Sequence, residues 1–141
     1  MINYFTEDCV FSFRNRRKIN KWIKDTVSRE NMVTGDISII FSSDDYLLEV
    51  NKKFLNHDYY TDIITFDYCE NKTLCGDLFI SIDTVRSNSE KFNVSFDNEL
   101  KRVIIHGILH LCGYGDKTEK EETLMREKEN FYLSILEKEE K

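Results

Sequence analysis

The chain has three histidines, His57, His106 and His110, and the last two stand four residues apart. They lie in the run Lys101-Arg102-Val103-Ile104-Ile105-His106-Gly107-Ile108-Leu109-His110-Leu111. On a helix, residues i and i+4 project from one face. Two imidazoles so placed can share one zinc ion at Zn–N distances of about 2.0–2.1 Å. Gly113 follows His110 by three residues, and Asp116 follows Gly113 by three, giving H-x-x-x-H-x-x-G-x-x-D. A glycine tolerates positive φ and can end the helix. The chain can then double back and bring Asp116 to the same ion. Three protein ligands leave one position for water, as catalytic zinc requires. A lone H-x-x-x-H is often coincidence, and buried imidazoles need a partner of some kind. Both readings stay open at this point.

The spacing is similar to the metzincin pattern H-E-x-x-H-x-x-G-x-x-H. The general-base Glu of that pattern is Gly107 here, which disfavours a metallopeptidase.

The histidine run must sit on a helix, and Asp97 is placed to cap one from Asn98 to Cys112. Thr118-x-x-Glu121 forms a capping box for a last helix, with Leu124, Met125, Phe131, Tyr132 and Ile135 as its buried stripe. Residues 1–5 read as an edge strand and 14–29 as a helix burying Ile19, Trp22, Ile23 and Val27. Gly35-Asp36 ends a connection, and a strand follows over 37–41. Ser42 to Asp45 opens a helix reaching about Leu55. Strands are expected over 62–68 and 77–82, joined by a hairpin-like turn over 69–76, with a further helix over 83–92. The order β-α-β-α-β-β-α-α-α favours an α+β fold. The expected architecture is a small four-stranded mixed sheet packed with helices.

The length of 141 residues suits one domain over 1–141. With 40% hydrophobic and 13% aromatic residues, the chain can bury a core, which excludes wholesale disorder. The net charge of -6 excludes a uniformly basic nucleic-acid binder but not a local basic face. Arg14, Arg16, Arg17, Lys18, Lys21 and Lys24 form such a run; it can meet RNA phosphates or be a solvated helix face. No apolar run approaches a membrane span, and no signal peptide is visible, so a cytoplasmic location is expected. Cys9, Cys69, Cys75 and Cys112 are expected to be free, although spacing allows a Cys69–Cys75 disulfide.

His106-Gly107-Ile108-Leu109-His110-Leu111-Cys112-Gly113-Tyr114 resembles the H-G-x-L-H-L-x-G-Y signature of the YbeY family, metal-dependent endoribonucleases of bacterial rRNA maturation. Thr61-Asp62-Ile63-Ile64-Thr65-Phe66 resembles the family's P-T-D-V-L-S-F strand, and Gly76-Asp77-Leu78-Phe79-Ile80-Ser81 its G-D-I-x-I-S strand. The resemblance implies a zinc-dependent endoribonuclease acting on single-stranded RNA, with one zinc ion per chain. It implies 16S rRNA 3′-end maturation and ribosome quality control as the role. The implied partners are precursor rRNA and the small ribosomal subunit, with no membrane and no nucleotide cofactor. His106, His110 and Asp116 would hold the metal and act catalytically through it. The alternative is a non-catalytic ribosome-assembly factor with a structural metal.

Two positions depart from the family pattern. Asp116 stands where the family carries a histidine; a carboxylate still binds zinc, at about 2.0–2.2 Å. Leu55 stands where the family carries an arginine, with Lys52, Lys53 and His57 as nearby substitutes. Tyr60 replaces the family proline. Among the other candidates, Asp77 either orients a ligand histidine or caps a turn. Thr61 and Asp62 can serve the turn before their strand. Cys112 is read as a buried thiol rather than a ligand, Tyr114 as a cover on the site or a base-stacking ring, and His57 as an exposed loop residue.

Overall fold

A computed structural model describes residues 1–140. The elements are β1 (Ile2–Glu7), α1 (Arg16–Arg29), β2 (Val33–Ser42), α2 (Asp44–Leu55), β3 (Ile63–Asp67), β4 (Thr73–Ser81), α3 (Ile82–Lys91), α4 (Phe96–Leu111) and α5 (Glu119–Glu140). The order is the one the sequence predicts, and the fold is α+β. The sheet runs β1-β2-β4-β3, with β1, β2 and β4 parallel and β3 antiparallel to β4.

Alternation along the strands gives the sheet two unlike faces. Ile37, Ile39, Phe41, Leu74, Leu78 and Ile80 belong to the main core with residues of α1, α3, α4 and α5. The other face carries a smaller cluster of Leu47, Val50 and Ile64 from α2 and β3, backed by Phe66 and Phe79. The α1 stripe buries Ile19, Trp22, Ile23 and Val27 as expected. The Trp22 indole donates to the Tyr132 carbonyl at 2.9 Å and so ties α1 to α5. Helix α4 is central, touching α1, α3, α5, β3 and β4.

Several boundaries differ from the sequence reading. Gly35 and Asp36 lie inside β2, where the pairing with β4 shifts register between Thr34 and Ile37. β4 begins at Thr73, because the tight turn is Asn71-Lys72, both at positive φ, flanked by a Glu70–Thr73 bridge. α4 is capped by Ser95, whose Oγ accepts from the Asn98 N–H at 3.0 Å, so Asp97 lies in its first turn instead. The capping box of α5 forms as predicted. Glu121 Oε1 accepts from the Thr118 N–H and Thr118 Oγ1 from the Glu121 N–H, each at 3.1 Å. Its apolar stripe is Met125, Tyr132, Leu133 and Leu136, whereas Leu124 and Phe131 are 43% and 48% exposed.

Gly107 sets how closely α4 approaches the sheet. A Cβ there would lie 2.7 Å from Ile63 Cδ1 and 2.9 Å from Leu78 Cδ2. Those are movable side-chain tips, so one methyl forces only a small adjustment, while a branched side chain forces helix and sheet apart. Gly107→Val should therefore lower unfolding stability by about 1–3 kcal/mol, read from a urea titration. Undiminished stability would mean that α4 does not depend on this contact.

Candidate metal centre

His106 and His110 are one turn apart on α4. Their rings meet edge to face with centroids 4.8 Å apart. α4 ends at Leu111, and Gly113 follows at φ 109°, a backbone state that L side chains rarely adopt. The turn then brings Asp116 back over both histidines. Asp116 Oδ2 lies 3.1 Å from His110 Nε2 and 3.3 Å from His106 Nε2. The sequence thus brought forward three residues that the fold places together. Among the described residues they form the one His/Cys/Asp/Glu group compact enough to hold a metal ion. The separations suit that use. Ligands of a tetrahedral ion at about 2.0–2.1 Å stand roughly 3.3–3.4 Å from one another.

Tyr114 anchors the turn. Its hydroxyl donates to Glu30 Oε1 at 2.5 Å, Tyr132 also donates to Glu30, and Lys128 Nζ reaches it at 3.3 Å. Tyr114 therefore ties the Asp116 turn to the end of α1 and to α5.

Behind His106 stands a residue the sequence reading missed. Glu129 of α5 is 5% exposed. Its Oε2 lies 2.7 Å from His106 Nδ1, and its Oε1 accepts from Arg102 at 2.8 Å. With Nδ1–H given to Glu129, His106 turns its Nε2 lone pair toward Asp116. Burial pushes the Glu129 carboxyl up, but the bonds from His106 and Arg102 outweigh it and hold the group below the usual carboxylate range. Burial likewise pulls His106 down, and Glu129, with Asp62 and Asp116, outweighs it and raises the imidazole above its ordinary value.

These residues line an open cleft of about 620 Å³ between α3, α4 and α5. Asp62, Glu99, Arg102 and Arg126 also line it. Burial raises the carboxyls of Asp62 and Glu99.

The sequence and fold match a known family. The family model described as Endoribonuclease YbeY covers residues 2–137. The chain belongs to the YbeY endoribonuclease family. It is 52% identical over 135 residues to Endoribonuclease YbeY of Parabacteroides distasonis, across 96% of this chain and 95% of that protein. It is 52% identical over 136 residues to the YbeY of Phocaeicola vulgatus, across 96% and 99%. The solution structure of TM1509 from Thermotoga maritima superposes with a TM-score of 0.69 at 30% identity, across 99% of this chain and 91% of that one.

Other sequence candidates fall differently within this YbeY fold. Asp77 cannot orient a ligand histidine. It pairs with Phe66 across the β3–β4 ladder, and strand alternation points it to the α2 face, away from α4. Glu129 makes that contact instead. Asp62 binds its own and the Ile63 backbone N–H groups, as a turn carboxylate does, and also faces His106. Thr61 donates to the Ile63 carbonyl at 3.4 Å. His57 is exposed, with Nδ1 3.0 Å from the Tyr59 hydroxyl, and stands outside the histidine group. Leu55, Lys52 and Lys53 end α2 and do not line the cleft. Nor do the six basic residues at 14–24; Lys21 pairs with Asp25 at 3.0 Å and Glu139 at 3.6 Å. The four cysteines are free. Cys69 Sγ donates to the Cys75 and Leu111 carbonyls, and burial pushes the Cys112 thiol up to about 12. Position 107 is a glycine packed against Ile63 and Leu78, so this helix carries no general-base Glu beside His106.

The raised His106 contributes stability fully below the unfolded histidine pKa and loses it as pH rises through the folded value. The lowered Glu129 contributes above the unfolded carboxylate pKa and loses it as pH falls through the folded value. The pair therefore stabilises most between those two ranges. In metal-free protein, Glu129→Gln should move the His106 titration downward, followed by NMR of its ring protons. It should also cost up to about 3 kcal/mol near pH 6, toward the low end for buried pairs because Arg102 is partly exposed. An unmoved His106 titration would separate the two groups energetically.

Proposed function

We propose that this chain is a zinc-dependent endoribonuclease that cuts single-stranded RNA. His106, His110 and Asp116 hold one zinc ion per chain and act through it. The observation carrying this reading is that one carboxylate oxygen of Asp116 lies 3.1 Å from His110 Nε2 and 3.3 Å from His106 Nε2, in a YbeY-family chain. When bound there, zinc would polarise a phosphoryl oxygen and lower the pKa of a nearby water.

The chain's own residues prepare that site. Glu129 fixes the tautomer and ring plane of His106. Arg102 satisfies the second oxygen of Glu129, so the carboxylate stays ionised and in place. The Gly113 turn and Tyr114 hold Asp116 over the histidines. A flexible single strand can lay one phosphodiester into an open cleft of this kind, with its bases left outside. In the cell we place the activity in the cytoplasm, in 16S rRNA 3′-end maturation and ribosome quality control, with the small ribosomal subunit as partner. Family membership supports that role.

Purified protein should carry about one zinc per chain, and His106→Ala should remove most of it. Metal-dependent cutting of single-stranded RNA should fall in His110→Ala by more than the 10–100-fold typical of losing an outer contact. Asp116→Ala should lose metal and cleavage together. If Asp116 only shapes the turn, that variant keeps its zinc and loses about 1 kcal/mol of stability. Tight RNA binding by metal-loaded protein without any cutting would favour the assembly-factor alternative.

A further inference from the structure

The cleft lined by His106 and Asp116 is acidic. Six carboxylates line it, from Asp62, Glu99, Asp116, Glu122, Glu127 and Glu129, against two arginines, Arg102 and Arg126. An RNA phosphate entering it meets repulsion from the walls, and in a partly enclosed site that repulsion is weakly screened. A group carrying fixed positive charge must face the incoming strand.

The two arginines are not equivalent. Arg102 is 24% exposed, and its guanidinium is already engaged: Nη1 donates to Glu129 at 2.8 Å and Nη2 to Asn130 Oδ1 at 2.9 Å. Withdrawing it would strip a buried carboxylate of its partner. Arg126 is 62% exposed and approaches Glu129 Oε1 only at 3.7 Å. Glu129 is satisfied without it, through His106 and Arg102. With its guanidinium largely in solvent and 3.7 Å from the carboxylate, Arg126 is held weakly and can turn to another anion. It sits on α5 one residue after buried Met125 and one turn before Glu129, so it rises from the same cleft wall that supports His106.

We propose that Arg126 is the residue that binds a phosphate of the single-stranded RNA in the metal cleft. The planar guanidinium can take two phosphate oxygens through parallel N–H groups in a fixed fork, a geometry a lysine lacks. Arg126 thereby offsets the carboxylate walls and seats the strand beside the His106–His110–Asp116 group. This assignment rests on the endoribonuclease reading for its substrate, but the contact itself is a binding contact and is read as such.

The test compares wild-type protein with Arg126→Ala, Arg126→Lys and, as a control outside the cleft, Arg29→Ala. Three quantities are measured: metal content per chain, affinity for a short fluorescein-labelled single-stranded RNA across a salt series, and cleavage of that RNA. Arg126→Ala should keep its metal and weaken RNA binding about tenfold or more. Its log–log salt slope should fall by about 0.7, the loss of one single-strand phosphate contact. Cleavage should fall at least as far. Arg126→Lys should lie between, because charge is kept and the fork is lost. Arg29→Ala should match wild type. RNA affinity and salt slope unchanged in Arg126→Ala would overturn the proposal, as would a loss of binding that merely follows a loss of metal. Wild-type protein that binds RNA through Arg126 yet never cuts it would retain the contact and overturn the endoribonuclease reading.

Discussion

A carboxylate buried to 5% exposure cannot stand alone, and Glu129 is such a group. Its two oxygens take His106 and Arg102, which lie one turn apart on α4. That requirement fixes the position of α5 along α4, because sliding α5 by one turn would leave two donors and one buried carboxylate unpaired. The apolar contacts of α5 agree with the same register. Met125, Tyr132 and Leu136 are buried on the stripe that carries Glu129, and the Tyr132 carbonyl receives the Trp22 indole. The Tyr132 hydroxyl joins Tyr114 and Lys128 at Glu30, so the seating of α5 also fixes the turn that carries Asp116. One buried charge therefore links the orientation of His106 to the path of the chain as far as Asp116.

The opposite side of α4 is governed by closeness to the sheet. Gly107 lies over Ile63 and Leu78, and the buried residues Ile104, Ile108 and Leu111 continue that side of the helix. The cleft side carries Glu99, Arg102, Val103 and His106. A helix cannot place neighbouring residues on one face, so Gly107 and His106 are bound to opposite duties. The glycine costs about 1 kcal/mol of helix propensity, which the packing of the central helix offsets.

The sequence displays the parts of this site that are local. His106, His110, Gly113 and Asp116 are separated by spacings that a helix and its terminating turn convert directly into geometry, and Thr118-x-x-Glu121 announces the next helix. The parts that depend on tertiary register are hidden. Asp77 was a plausible partner for a histidine by its place at a strand, but only the β3–β4 pairing reveals that it points to the α2 face. Glu129 left a signal that could have been read. It lies four residues after Met125 and three before Tyr132, an acid inside an apolar stripe, and such an acid needs a partner on the facing element. An apolar stripe that takes in Leu124 and Phe131 beside Met125, Tyr132 and Ile135 is centred away from position 129 and conceals it. The cap of α4 went to Ser95 rather than Asp97 because the helix gains Phe96, whose ring packs on Phe11 and under Arg86.

The electrostatics of the cleft give its acidity a purpose. Burial disfavours the charged forms of Asp62 and Glu99, two of the carboxyls on the cleft wall. An anionic strand would add to that cost, whereas a divalent cation held by His106, His110 and Asp116 would relieve it. The same carboxylates that repel a bare phosphate therefore favour the ion that would make a phosphate welcome. Under the endoribonuclease reading proposed above, a bound cation would favour the strand and the strand the cation to the same degree, because both act on the charge of one cleft.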